Sequence, residues 1–357
     1  MLERRPKSRI VPFGIRIYLL LARRTCHLIL TFFGSLPLAR AYGRHLQDLI
    51  RRYGERNQSH ATFFLRNRPE LELMRHLLDR QPHGAAVDLA VVACSKGAEV
   101  YSIVWKLRSA RPDLRLRIRA VDISQEVVDF AAAGVYTIDS IDSRKAFHQT
   151  GDLTWKDQMV RGRLVSIFEQ MTSQEMNEMF ELEGDQATIK PWLKQGITWL
   201  RGDAADPEFA RALGVHDVVV ANRFLCHMEP AAAEACLRNI GRLVKPGGYL
   251  FVSGVDLEVR TKVARDLCWR PVMEMMREVH QGDSFLIEGW PLHYWSVEPF
   301  CDDRSDWKIR YASVFQIDEL SQDTQPFPMF WQEDTGSEEP CRGAQGGKPQ
   351  RHRSQVG

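Results

Sequence analysis

Val91 to Ser102, VVACSKGAEVYS, constrains this chain more than any other stretch. A β-branched apolar run enters a turn of small residues, the turn carries Gly97, and a helical pattern opens with Glu99 close behind. A second apolar run, Leu114 to Val121, then ends in Asp122. A strand, a tight turn, a helix and an acid on the tip of the next strand make up the half-unit with which α/β proteins hold a nucleoside. Glycine, which has no Cβ, lets backbone approach a ligand closely. The acid accepts hydrogen bonds from ribose hydroxyls. The full G-x-G-x-x-G pattern is absent, which argues against a pyrophosphate cradle and for a nucleoside without a diphosphate.

The rhythm continues on both sides of that unit. Strands are expected at 85–94, 114–121, 197–200, 217–222 and 249–254, and helices at 69–78, 98–109, 125–133, 208–213 and 230–243. Gly134 stops the third of these helices, and Lys245-Pro246-Gly247-Gly248 turns the chain into the last strand. Alternating strands and helices imply an α/β fold: a doubly wound, mostly parallel sheet with helices on both faces. Residues 136–197 are polar and break the pattern, so they are expected as an insertion or subdomain at one edge. Their last part, ATIKPWLKQGITW, has the look of short strands around a turn. The segment 257–318 concentrates Trp269, Trp290, His293, Tyr294, Trp295 and Trp307. It either completes the sheet with a strand pair and packed helices or walls an acceptor pocket. Three regions follow: a basic helical segment at 1–56, the α/β domain at 57–318, and a tail at 319–357 whose Gly, Pro, Glu, Gln and Arg content predicts disorder.

At 357 residues, 44% hydrophobic and 26% charged, the chain has the composition of a soluble globular protein. The net charge of +2 conceals an asymmetry: residues 1–56 hold twelve Lys or Arg against three Asp or Glu. A basic leader suggests an anionic surface, membrane or nucleic acid. Nucleic acid is the weaker expectation, because the Asn/Asp-Pro-Pro-Tyr/Phe motif of base methylation is missing and Asn222-Arg223-Phe224-Leu225 is the nearest segment. Within Ile15 to Leu38, Arg23 and Arg24 split the apolar residues into two runs, each short of the ~20 residues a spanning helix needs. The segment reads as an amphipathic helix packed on the main domain or lying on an anionic membrane surface, with a spanning anchor the least favoured alternative. Peripheral contact through residues 1–40 at the inner membrane surface would follow from the second reading. Seven cysteines, at 26, 94, 226, 236, 268, 301 and 341, form no C-x-x-C pair and no metal spacing. They point to a reducing cytoplasm and to no metal site.

S-adenosylmethionine is the common nucleoside ligand without a diphosphate, and it needs three kinds of contact. Asp122 is placed for the ribose. The methionine end is zwitterionic, so Glu99 suits its ammonium, while Arg66 suits its carboxylate or orients the methyl acceptor. Asp203, after the next strand tip, is placed for the adenine, and Asn222 ends the strand near the reactive centre. All but Arg66 fall at or just after C-terminal strand ends, where open α/β sheets bind ligands. Each has an alternative role. Asp122 and Asp203 are suited to capping the helices that follow them, Glu99 to complementing a helix dipole, Asn222 to forming a turn and Arg66 to solvation.

Six segments in order, HATFFLRNRPELELMRHLL, VVACSKGAEVYSI, RIRAVDIS with a helix ending AAAGVY, IKPWLKQGITWLRGDA, DVVVANRF and LVKPGGYLFVSG, resemble the CheR-type chemoreceptor methyltransferases over about residues 57–256. The Thr-Phe-Phe…Arg lead-in and the edge insertion make the resemblance specific. It implies a class I methyltransferase-like fold, S-adenosylmethionine as cofactor, and Thr62, Arg66, Glu99, Asp122, Asp203 and Asn222 at cofactor-contacting and active-site positions. The family methylates glutamate carboxylates on receptor proteins. The acceptor half departs from it. The lead-in asparagine is His60, the first acid of the Gly-Glu-Glu turn is Ala98, the Arg-Asn pair is Ala221-Asn222, and the acceptor-side tyrosine falls at Cys226 or, with a one-residue shift, His227. Arg66, Cys226 and His227 are therefore the expected acceptor-side catalytic residues, and the acceptor is a carboxylate or another oxygen or nitrogen group on a protein or small molecule. For a hydroxyl or amine acceptor, His227 or His60 would serve as base. The alternative is a non-catalytic S-adenosylmethionine-binding module that associates with a membrane or a partner protein.

Overall fold

A computed structural model describes residues 14–15, 17–22, 25, 37–53, 60–138, 159–160, 163–164, 166–287, 290–294 and 297–318. The expected tail at 319–357 lies outside the described residues, as does Trp295. The strands, in chain order, are β1 (Ala86–Val92), β2 (Arg115–Asp122), β3 (Val135–Thr137), β4 (Met159–Val160), β5 (Arg163–Leu164), β6 (Phe180–Glu183), β7 (Gln186–Ile189), β8 (Ile197–Arg201), β9 (His216–Val220), β10 (Val244–Phe251), β11 (Arg270–Pro271) and β12 (Val314–Gln316). Seven of them form one sheet in the order β11-β12-β10-β9-β1-β2-β8. β8, β2, β1, β9 and β10 run parallel, and β12 is antiparallel to both β10 and β11. This is the expected doubly wound class I methyltransferase fold. From β1 the chain winds outward through β2 to β8, then returns to β9 on the other side, so the topological switch lies between β1 and β9.

Strand alternation builds a core on each face of the sheet. Val87, Leu89 and Val91 of β1 face one apolar cluster with Val218 and Val220 of β9. Ala90 and Val92 face the other with Val219 and Leu250. Asp88, the one charge in β1, is accommodated by the Arg117 guanidinium at 2.6 and 2.8 Å and by Lys245 Nζ at 3.0 Å. Local signals set the helix ends. Ser124 accepts from Val127 N to start the helix Gln125–Ala133, and Gly134, at φ 60°, ends it. Asn67 caps the helix Arg68–Leu78 by accepting from Glu70 N, with Pro69 in its first turn.

Two local readings are corrected. The stretch Ala187 to Trp199 is the end of β7, a short helix Pro191–Lys194 and the start of β8, not strands around a turn. β10 already begins at Val244, with the Gly247-Gly248 pair bulging between its first and later pairings, so the turn residues sit inside an irregular strand.

The insertion contributes an antiparallel sheet in the order β3-β7-β6. An aromatic cluster joins it to the lead-in. Phe64 meets Tyr136 and Phe180 edge-on at 5.1 Å and stacks on Phe168 at 5.6 Å. The C-terminal aromatics mostly pack: Trp269 lies against Phe315 of β12, and Phe300 stacks on Tyr311. The helix Pro37–Tyr53 is fastened to that same region. The Trp290 ring fills the space beside Gly43, its Nε1 donates to Gln47 Oε1 at 2.6 Å, and Arg51 pairs with Glu258. Among residues 14–25, Tyr18, Leu19 and Ala22 pack with Leu46 and Leu292, while Ile17, Leu20 and Leu21 are exposed. No helix among the described residues is long and apolar enough to cross a membrane.

Candidate functional site

The turn after β1 holds three residues in the left-handed region: Ala93 at φ 56°, Ser95 at φ 49° and Gly97 at φ 84°. For Ala93 and Ser95 this conformation costs roughly 1–2 kcal/mol each, and such strain persists only where surroundings enforce it. Four hydrogen bonds do so here. Cys94 N donates to Val121 O at 2.9 Å, Ser95 N to Asp122 Oδ2 at 2.9 Å, Ser95 Oγ to His60 O at 2.8 Å, and Tyr136 Oη to Lys96 O at 2.6 Å. Gly97 also serves the turn through its packing. A Cβ there would meet Ala131 and Trp199 at 3.1 Å and Tyr101 at 3.2 Å. Its missing side chain thus permits the backbone angle and close helix packing.

Asp122 is buried at the tip of β2. Its Oδ1 accepts from Ser124 N at 3.1 Å, so each carboxylate oxygen holds one turn N–H, on the β1 and β2 sides respectively. The helix cap is Ser124, not Asp122. A carboxylate has about four acceptor positions, which leaves capacity for a ribose diol. Gly202 N donates to Asp122 O at 2.9 Å, which brings the next turn alongside. Asp203 lies exposed in it and accepts from Ala205 N, while Asp206 caps the following helix.

The lead-in crosses the start of the helix Ala98–Ala110. Thr62 is buried, and Leu65 N donates to Ser102 Oγ at 2.9 Å. Arg66 is thereby placed with Nη2 at 3.4 Å from Glu99 Oε1 and Nε at 3.8 Å from Asp283 Oδ2. Asn222 donates to Glu99 Oε1 at 2.9 Å and to Glu70 Oε1 at 2.7 Å, and its Oδ1 accepts from Ser253 N and Oγ. Arg223, at φ 60°, turns back to pair with Asp283. Arg66, Glu70, Glu99, Asn222, Ser253 and Asp283 line one cleft. Burial, then the Glu99 charge, pushes the Glu70 carboxyl up to about 8. Burial lowers the Arg223 guanidinium against the pull of Asp283.

The structure therefore unites Arg66, Glu99 and Asn222 in one hydrogen-bonded cluster beside the Asp122 turn, with Asp203 at the neighbouring turn. It adds Glu70, Arg223, Ser253 and Asp283, none of which was expected. Cys226 and His227 lie in a single 3-10 turn at Leu225–His227, where Cys226 N donates to Gly254 O at 3.0 Å. The Cys226 thiol is 2% exposed and packs with Ile50 and Tyr294, and His227 Nδ1 is 2.7 Å from Tyr294 Oη. Cys226 is also close enough to the Arg223 guanidinium of the cluster to act on it electrostatically.

Residues 60–150 match the family model described as CheR methyltransferase, SAM binding domain, and residues 163–252 that described as methyltransferase domain. A curated protein of Rhodobacter capsulatus, an uncharacterized 104.1 kDa protein in the hypE 3' region, is 24% identical over 184 residues, which are 50% of this chain and 16% of that protein. The chain thus spans a small part of that relative's length. Solved structures similar to it include an O-methyltransferase family protein from Burkholderia thailandensis, with 14% identity, 67% of this chain and 51% of that one covered, and a TM-score of 0.28. SAM-bound CalS10, an amino pentose methyltransferase from Micromonospora echinaspora, has 11% identity, 52% and 49% coverage, and a TM-score of 0.28.

The residues present fit S-adenosylmethionine. The cleft offers a guanidinium and a carboxylate side by side, as a zwitterion requires. It also holds two buried oxygens, Glu70 Oε2 and Asp283 Oδ1, that have no hydrogen-bond partner among the described residues. Buried polar atoms left unsatisfied are costly, and a polar ligand relieves that cost.

Proposed function

We propose that this chain, a divergent CheR-like S-adenosylmethionine-dependent methyltransferase, transfers the methyl group to a carboxylate carried by a protein or small molecule. S-adenosylmethionine supplies, when bound, a methyl group already activated for displacement, so the protein's task is alignment. Arg66 and Glu99 would hold the two charged ends of the methionine part, and Asp122 the ribose. One observation carries the choice of acceptor. A second pocket adjoins the first, sharing Asn67, Ser253 and Asp283 with it, and is lined by Arg260. This guanidinium is 3% exposed, donates to Val252 O and Arg310 O, and has a buried Nε–H with no acceptor among the described residues. An anionic acceptor would supply one.

A carboxylate is nucleophilic at neutral pH and needs no general base. Of the two histidines considered as bases, His227 has its Nδ1 2.7 Å from Tyr294 Oη. The test is transfer of labelled methyl in a cell lysate. Label released as methanol by mild alkali identifies a carboxyl ester; label that withstands alkali sinks the carboxylate reading. No transfer to any fraction despite tight cofactor binding would favour the non-catalytic module.

A second observation bears on location. Ile17, Leu20 and Leu21 project from a helix whose other side is already packed, within a leader rich in Lys and Arg. Exposed apolar residues beside basic ones suit the surface of an anionic membrane, and we infer peripheral association there.

A further inference from the structure

Asn222 has two N–H bonds on Nδ2 and gives them to two acids, Glu70 at 2.7 Å and Glu99 at 2.9 Å. Its orientation is fixed, because Oδ1 accepts from Ser253 N and Ser253 Oγ, both at 2.8 Å. Two carboxyl groups sharing one amide nitrogen in a buried site do not both ionise readily. The surrounding charges decide which stays neutral. Arg66, from the lead-in, is ion-paired to Glu99, and Arg223, following β9, is taken by Asp283. Asp283, beyond the helix Met276–Gln281, adds negative potential at Glu70. Arg260, on the helix Leu257–Asp266, acts on Glu70 only through space. Glu70 is also the more deeply buried of the two acids. With Oε1 accepting from Asn222, the proton belongs on Oε2, a buried atom of the cleft with no hydrogen-bond partner among the described residues.

We propose that Glu70 is a positioning residue of the cofactor cleft, which as a neutral acid donates its Oε2–H to the carboxylate end of the bound methyl donor, beside Arg66. The proposal rests on the cofactor reading above. An ionised Glu70 would repel that carboxylate and set three acids against Arg66 and Arg223.

The experiment compares the full chain with its Glu70→Gln variant, which keeps a neutral donor of the same shape. Calorimetry with S-adenosylmethionine is run from about pH 7 to about pH 9, where the ligand's own α-amino group also titrates in both proteins. Because only the neutral fraction binds, the wild type should lose roughly tenfold more affinity over that range than the variant. At about pH 7 the two should agree within about threefold. Urea unfolding without ligand gives an independent readout. A carboxyl pushed up to about 8 in the fold binds a proton that the unfolded chain releases, so wild-type stability should fall as pH rises from the ordinary carboxylate range, about 4.3, towards that value. Glu70→Gln should lack this fall. No binding at any pH overturns the cofactor reading and the proposal with it. Binding with parallel profiles in the two proteins overturns the role of Glu70 alone.

Discussion

Tyr136 donates its phenol O–H to the carbonyl of Lys96 at 2.6 Å, so a residue of the inserted sheet holds the turn that opens the cofactor site. Tyr136 is itself fixed by Phe64, two residues before Arg66, through an edge-on ring contact. The insertion, the lead-in and the turn therefore form one mechanical unit. The Thr-Phe-Phe…Arg lead-in and the edge insertion are coupled through it: the aromatic anchors the segment that delivers the arginine.

Tyr136→Phe tests that coupling. It keeps the ring packing and leaves the Lys96 carbonyl without this donor. Stability should drop by about 1–3 kcal/mol, as for a buried group left without its partner, measured by urea unfolding. Affinity for S-adenosylmethionine should fall as well, because the strained turn loses one of its four ties. Unchanged affinity alongside reduced stability would confine Tyr136 to a role in the fold.

Asp122 offers a direct test of the ribose position. Asp122→Ala should weaken cofactor binding by roughly 1.5–3 kcal/mol, the range for hydrogen bonds to a charged group, read by calorimetry. Asp122→Asn keeps one carbonyl oxygen for the turn and should fall between the two. Equal affinities in all three proteins would place the ribose elsewhere.

The part of this site visible in the sequence is the part built from local chemistry. Ser124 and Gly134 bracket their helix as caps do, and Asp122 and Glu99 follow strand and turn signals within a few residues. Glu70 reaches Asn222 from 152 positions away, and Asp283 reaches Arg223 from 60. No local pattern reports such a meeting. The arginine that the resemblance places before Asn222 is Ala221, and a guanidinium comes instead from Arg223, whose positive φ turns it back. A backbone angle of that kind at a non-glycine residue has no sequence signature. Cys226 and His227 match a tyrosine of the resembled family by position, but their surroundings depend on Ile50 and Tyr294, which only tertiary packing brings near.

Arg260 is expected to act on the acceptor and not on the cofactor. Arg260→Lys keeps the charge while losing the planar fork that bonds the two carbonyls. It should lower the rate of alkali-labile methyl incorporation by about tenfold or more while leaving S-adenosylmethionine affinity within about twofold, given that a charged hydrogen bond is worth ~1.5–3 kcal/mol. Circular dichroism and urea unfolding monitor the fold. Unchanged incorporation would remove Arg260 from the acceptor site, and a parallel loss of cofactor affinity would make its role structural.

The leader lends itself to a test that spares the fold. Leu20 and Leu21 are 62% and 59% exposed, so replacing both by Ser should change stability by no more than about 0.5 kcal/mol per site. Neither residue is among those that pack with Leu46, so the inner side of the helix stays intact. If that outer face lies on a membrane, the double variant should bind vesicles containing anionic lipid several-fold more weakly in a sedimentation assay. Its affinity for S-adenosylmethionine should stay the same, because the Asp122 turn and the Asn222 cluster are built from other residues. Raising the salt concentration should weaken wild-type binding further, since the basic residues of the leader supply the electrostatic part of the attraction. Binding that depends on salt but is indifferent to the two serines would assign the contact to charge alone. Binding absent from the wild type would leave the exposed leucines to a protein partner.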